Sequence, residues 1–419
     1  MKQRIKDSYA RLRATNILSN FLNLSSIQIS NILLLLITIR IIAGNVGIEA
    51  YGMVMFANSF SLLAGTVINY GTGQSGIKDT AFHRSDQSRL STIFYNTLAI
   101  RIIIFIIFLA GMAFYALLQL NHYFYLLLAL PIVLAEVLNP LCFFIGIEKI
   151  RIFNICNLIS NIGAVIVIYI FINKPADAPW VNFILGVGNV LTYLCLLFYL
   201  SRRLKLNFKL PTRTDLLTIS KANFYLTANN ISANLQQSVM IFALTAANSN
   251  LLGAYSLSNR VISQCRNLLN TVTNAVYPNA VNLFKQNVAA WNEYRKKSKY
   301  LFAGIFLAGA ILIFILADLI IFILSKQHNA DAVLILRVMA FVPVISALNV
   351  FSVLDMLLKN KNIYLFNVAI ALACVAALVA FGAANLNNRL LIGSFTLIVE
   401  ICALAMYEYI ITKPAVDHG

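Results

Sequence analysis

Acidic side chains are scarce in this chain. Its 419 residues hold 15 aspartates and glutamates against 32 lysines and arginines, and charged residues make up only 11% of the total. With 60% hydrophobic residues and a mean hydropathy of +0.80, so little charge excludes a soluble protein. Histidine is rarer still. The four (His83, His122, His328, His418) lie far apart with no metal-ligand spacing, so no metal and no cofactor is expected. The six cysteines stand singly in apolar segments and form no C-x-x-C pair, which leaves buried free thiols. Long polar stretches are missing too. The longest connections are 78–92, 201–215 and 285–300, and none could fold into a soluble domain.

What the chain has in quantity is long apolar runs. About twelve reach the length needed to cross a bilayer, at 17–43, 53–77, 93–119, 122–146, 152–173, 180–200, 216–246, 252–284, 301–325, 330–358, 362–384 and 389–412. The net charge of +17 would suggest nucleic acid in a soluble chain. Here the basic residues sit in short connections, so no nucleic-acid partner is expected. Of the 32 basic residues, only Lys174, Lys326 and Arg389 lie on the side opposite the N-terminus, and six lie within spans. Such asymmetry places both termini in the cytoplasm and supports an even number of spans. The basic N-terminus (Lys2 to Arg13) runs into the first apolar segment without a small-residue cleavage site, so that segment reads as an uncleaved span. Trp180 and Trp291 fall at opposite interfaces, as amphipathic anchors should.

A polar stripe occurs twice. Ser19, Asn23, Ser26 and Ser30 recur as Asn223, Thr227, Asn230 and Asn234, each shifted by 204 positions. Spacings of three and four put each set on one helix face. In lipid such a face would cost several kcal/mol per unpaired group, so both should face the protein interior or water. Ala50-Tyr51-Gly52 and Ala254-Tyr255-Ser256 add to the repeat, as do Leu138-Asn139 and Leu348-Asn349. The basic, Pro211-containing connection then divides two six-helix lobes, 1–210 and 211–419. With six spans each, the lobes should be parallel repeats about an axis along the membrane normal, as in secondary transporters.

Gly71 to Gly76 spells G-x-G-x-x-G, but no strand precedes it and no βαβ unit surrounds it. It falls short of a P-loop as well, because Ile77 precedes Lys78 and Asp79 stands at the magnesium-binding position. A close helix contact or bend is the reading that remains. The ionisable residues within spans are more telling. Arg101, Arg337, Glu136, Asp318 and Glu400 suit structural pairs or ion coupling, since an isolated charge in mid-bilayer costs roughly 2.5–3.5 kcal/mol. Arg260 and Arg266 share one helix with many amides. Arg260, Gln264, Asn267, Thr271 and Asn274 form one stripe, while Asn259, Arg266 and Thr273 form another. Asn270 adds a further amide, and the second span contributes Asn58, Thr66, Asn69 and Thr72. Spans one, two, seven and eight therefore enclose a lumen whose candidate substrate contacts are Asn23, Asn69, Asn230, Asn234, Arg260, Arg266, Asn267 and Asn270. Amides bond hydroxyls in both directions and arginine grips phosphate oxygens in pairs, so this lumen suits a sugar joined to a phosphate or diphosphate.

The segment Val46-Gly47-Ile48-Glu49-Ala50-Tyr51-Gly52, with Asn69-Tyr70-Gly71 at the end of the following helix, resembles the polysaccharide-export flippases of the multidrug/oligosaccharidyl-lipid/polysaccharide (MOP) exporter superfamily. Gly253 to Pro278, with Ala254-Tyr255 and Tyr277-Pro278, looks like their second half. This resemblance implies an all-α, V-shaped bundle of about twelve helices in the bacterial inner membrane. It implies transport of undecaprenyl-diphosphate-linked oligosaccharide units to the periplasmic leaflet, for O-antigen or a related surface glycan. A polysaccharide polymerase and a chain-length regulator are its candidate partners, and a proton or sodium ion its candidate coupling ion. Many relatives carry an acid where this chain has Asn69, so no coupling role passes to that position. A multidrug cation antiporter of the same superfamily is the nearest alternative, but it would need an acid-rich or aromatic cavity. A membrane polymerase or ligase is another, but it would need a long outer loop with catalytic residues.

Overall fold

In hydrocarbon every backbone polar group must be paired within the protein, so long apolar segments become helices. The computed structural model describes residues 32–359 and 362–412, with the side chains of 270–279, 282, 285–286 and 362–363 left aside. No strand occurs among the described residues. In chain order the helices are α1 (Ile32–Val46), α2 (Ile48–Asn69), α3 (Thr72–Phe82), α4 (Gln87–Leu117), α5 (Tyr123–Leu128), α6 (Leu130–Leu138), α7 (Leu141–Gly146), α8 (Ile150–Phe171) and α9 (Trp180–Arg203). After the central connection come α10 (Arg213–Ala246), α11 (Leu252–Gln286), α12 (Val288–Ser325), α13 (Ala330–Met339), α14 (Val342–Leu358), α15 (Asn362–Asn385) and α16 (Arg389–Thr412). Taking α2 with α3, α5 to α7, and α13 with α14 as interrupted rods, twelve rods match the twelve apolar spans.

Among the described residues nine segments are long and apolar enough to cross a membrane, and α10 and α11 are not among them. Their amides, hydroxyls and charged side chains lower the mean hydropathy, and both helices turn polar side chains toward a shared cavity. The belt that meets lipid is built by other helices. Ile102, Ile103, Ile106 and Ile107 of α4 are exposed, as are Ile311, Leu312 and Ile315 of α12.

The interruptions have local causes. α2 stops where Tyr70 and Gly71 take positive φ values of 47° and 68°. Gly71 also lies against α10, where a Cβ would stand 3.2 Å from the carbonyl oxygen of Asn223. The glycine-rich end of the second span is therefore a bend in close helix contact. The Asn69 carboxamide accepts from the Gly73 amide at 2.8 Å and caps the start of α3. The rod of α6 and α7 breaks at Asn139-Pro140, since proline has no amide hydrogen to donate. This frees carbonyls at the end of α6, and Arg101 of α4 takes them. Its Nη1 donates to the carbonyls of Asn139 (2.8 Å), Glu136 (3.4 Å) and Val137 (3.5 Å), and its Nε to Thr72 Oγ1 (2.8 Å). A fully buried guanidinium thus sits at the negative end of a helix. The acid expected to pair with it is replaced by backbone.

Helices packed together come mostly from the same side of the central connection; α2 is the chief exception, packing on both α10 and α11. Where α2 and α11 begin, they meet backbone to backbone. A Cβ on Gly52 would lie 2.7 Å from the Gly253 nitrogen, and one on Gly253 would collide with the Ile48 carbonyl. Neither neighbour is a side chain that can swing away. Gly253→Ala is expected to force α2 from α11 and destabilise the protein by about 1–3 kcal/mol. A lower melting temperature in detergent checks this, and an unchanged one would rule out the tight seam.

Trp291 departs from its expected place at an interface. It is fully buried and donates from Nε1 to Asp355 at 2.8 Å. Trp180, by contrast, is exposed.

Candidate functional site

Helix α11 separates two cavities. Its positions 260, 264 and 267 recur at steps of four and three and face the first, a space of about 680 Å³. α1, α2, α8 and α9 supply the rest of that wall. Positions 256, 259, 263 and 266 face the second, about 550 Å³, enclosed with α2, α10, α14 and α16. The two stripes read from the sequence are these two faces, as far as side chains are described. Asn58 of α2 and Arg260 and Asn267 of α11 border both cavities.

The two arginines differ sharply. Nη2 of Arg266 lies 3.0 Å from Oε1 of Glu400 on α16, and Asn349 Nδ2 of α14 donates to the other carboxylate oxygen at 2.6 Å. That carboxylate neutralises Arg266 and joins three helices. Arg260, six residues earlier, is half-buried and has neither an ion pair nor a side-chain hydrogen bond among the described residues. It is the uncommitted cation at the junction. Buried polar atoms without a partner gather on the same walls. Of nine among the described residues, three belong to residues of the first cavity's wall (Tyr51 Oη, Asn157 Oδ1 and Asn182 Oδ1) and three to residues of the second's (Ser256 Oγ, Ser346 Oγ and Asn349 Oδ1), each atom lying just beneath the wall's surface. A wall that buries acceptors and hydroxyls unpaired is suited to a polar ligand.

The remaining expected contacts divide. Asn267 borders both cavities and Asn234 lines the second. Asn230 lies instead on the seam between α3 and α10, accepting from Gln74 Nε2 at 3.5 Å. Asn69 is occupied in capping α3. Asn23, with the rest of the first polar stripe, lies outside the described residues, as does the Asn270 side chain. In the second stripe Asn223 and Thr227 are buried rather than lipid-facing.

Among the described residues the candidate coupling residues form no ion pair with one another: of Glu136, Arg101 reaches only the backbone carbonyl, and Glu400 holds Arg266. Arg101 is held by carbonyls. Glu136 accepts from Asn139 Nδ2 at 3.3 Å and packs on Gly65 of α2. Asp318 is exposed and meets His328 Nδ1 at 3.3 Å. The Arg337 guanidinium lies 5.5 Å from the Phe314 ring centre, a cation–π arrangement. Sequence reasoning placed α8 as a span but missed its polar face. Asn154, Asn157 and Asn161 all line the first cavity, and their steps of three and four were the available signal.

Comparison with known proteins adds context. Residues 17–284 match the model of a family described as polysaccharide biosynthesis protein. A putative O-antigen transporter of Escherichia coli K12 is 21% identical over 367 residues, which are 86% of this chain and 88% of that protein. Among solved structures, the lipid II flippase MurJ in an inward closed conformation aligns with a TM-score of 0.77 at 12% identity, covering 94% of this chain and 88% of MurJ. An inward-facing multidrug resistance MATE transporter of the MOP superfamily aligns with a TM-score of 0.70 at 13% identity, covering 91% of this chain and 94% of that one. At these identities the two structures bear on the fold alone.

Proposed function

The chain belongs to the polysaccharide biosynthesis protein family, and from that premise we propose that it is a flippase for polyprenyl-diphosphate-linked oligosaccharides. The observation that carries this reading is the position of Arg260, a guanidinium without an ion pair among the described residues where two amide-lined cavities meet. A diphosphate headgroup must leave bulk water to cross the bilayer. A guanidinium in a partly dehydrated cavity offsets that loss with paired charge-assisted bonds. Amides on either side accept and donate to sugar hydroxyls. The O-antigen transporter relative and the MurJ-like fold support the same reading.

In this reading the substrate is an undecaprenyl-diphosphate-linked repeat unit. It moves from the cytoplasmic to the periplasmic leaflet of the bacterial inner membrane by alternating access of two lobes, 1–210 and 211–419. Export of organic cations fits less well. Among the described residues the one acid lining either cavity, Glu400, is already held by Arg266. Purified protein in liposomes should expose an inner-leaflet lipid-linked oligosaccharide to a lectin added outside. Liposomes that protect the glycan as fully as protein-free ones would reject the proposal.

Orientation has its own check. In a background without the six native cysteines, Asn248→Cys should react with an impermeant thiol reagent added to intact spheroplasts. Glu293→Cys, well exposed near the start of α12, should not. Labelling in the reverse pattern would turn the protein over in the membrane.

A further inference from the structure

The first cavity has a chemistry of its own. Among the described residues its wall carries Arg151 and Arg260 but no aspartate or glutamate. α8 presents Asn154, Asn157 and Asn161 to it, while Ile159, Ile162 and Ile166 of the same helix are exposed on other faces. Tyr51 and Asn182, each 1% exposed, complete the polar wall. Asn182 is fixed by its own amide group, since Nδ2 donates to the Val54 carbonyl at 2.8 Å. Its Oδ1 remains unpartnered, like Asn157 Oδ1 and Tyr51 Oη. Leaving one such atom buried is unfavourable, and three just beneath one wall mark a place where a ligand, with a small shift of the side chains over them, supplies partners. The needed partner donates to two amide oxygens and exchanges a hydrogen bond with a phenol. Sugar hydroxyls do all of this.

We propose that this cavity is the sugar subsite, where Tyr51, Asn157 and Asn182 bind the hydroxyls of the sugar next to the diphosphate. The inference rests on the flippase reading, with Arg260 holding the diphosphate at the cavity edge. It adds a specificity. The acid-free, arginine-bearing wall accepts neutral, N-acetylated or acidic sugars. It rejects a free amino sugar, whose ammonium would be buried beside arginines with no carboxylate to pair it.

The test uses full-length protein in detergent and three probes: bare polyprenyl diphosphate, the same lipid bearing one N-acetylhexosamine, and its de-N-acetylated amine. Wild-type protein should bind the acetylated lipid roughly tenfold more tightly than the bare one, as one to three added hydrogen bonds would give, and the amine no more tightly than the bare lipid. Asn157→Leu and Tyr51→Phe should each cut that gain by roughly two- to tenfold and leave the bare-lipid affinity unchanged. Arg260→Ala should weaken all three. If Asn157→Leu does not accumulate, Asn154→Ala and Asn161→Ala, half-buried on the same helix, give the same readout. The proposal is overturned if the acetylated lipid gains nothing over the bare one. It is also overturned if the variants keep the full gain, or if the amine binds as tightly as the acetylated form. Wild-type protein that binds none of the three would instead remove the flippase reading, and this inference with it.

Discussion

Arg260→Ala is expected to cut surface glycan by tenfold or more while leaving the amount of protein in the membrane unchanged. Each charge-assisted bond to a phosphate oxygen contributes roughly 1.5–3 kcal/mol, and every 1.4 kcal/mol is about tenfold in binding. No described residue loses a partner when this guanidinium goes, because it holds none among them. Arg260→Lys keeps the charge but not the planar fork, so it should recover part of the loss. Arg266→Ala should behave differently. It strands the Glu400 carboxylate, which is only 12% exposed, and should lower membrane abundance. Adding Glu400→Gln should restore abundance, since a neutral amide needs no cation. Immunoblots beside a surface-glycan gel separate the two behaviours. Wild-type glycan from Arg260→Ala at normal abundance would reject the phosphate role.

Asp355→Ala should be the most damaging substitution away from the cavities. This carboxylate is fully buried near the end of α14 and gathers three donors at 2.8 Å each: Trp291 Nε1, Arg295 Nη1 and Lys359 Nζ. Trp291 and Arg295 belong to α12, so the cluster ties α12 to α14. Removing the acid leaves two partly buried cations together and an indole N–H unpaired. Loss of one partner of a buried charge pair costs about 3–5 kcal/mol, enough to deplete the folded protein. Trp291→Phe removes one hydrogen bond and should cost about 1–3 kcal/mol. Protein level in membranes and melting in detergent measure both. Wild-type abundance for Asp355→Ala would mean the cluster contributes little.

The helices could be read from the sequence because hydrocarbon permits few alternatives, and hydropathy reports directly on that constraint. The polar character of α10 and α11 was legible for the same reason: amides in a membrane helix need partners. What depends on residues far along the chain was not. Arg260 and Arg266 look equivalent in sequence, and only Glu400, brought in by α16, separates them. Trp291 looks like an interface anchor because it leads into a basic stretch, yet its partner lies 64 residues away. Asn69 is a different kind of miss. Its role is local, capping α3 across the bend at Gly71, and the glycine beside it was the clue. The asparagines of α8 were overlooked because that helix is apolar as a whole, and three amides on one face scarcely change its average.

The glycine contact between α2 and α11 also has a mechanical meaning. Backbone bearing on backbone makes a fulcrum with no side chain in it to be re-sorted when the two helices tilt. α2 has 22 residues and is therefore about 33 Å long. Gly52 stands about 26 Å from the end of α2 at Asn69, so each degree of tilt there moves the far end by about 0.4 Å, a lever arm fixed by the helical rise. At that far end Gly71 bears against Asn223, whose buried Nδ2 has no partner among the described residues. A rotation too small to disturb packing at the pivot is thus enough to part or press that distant contact.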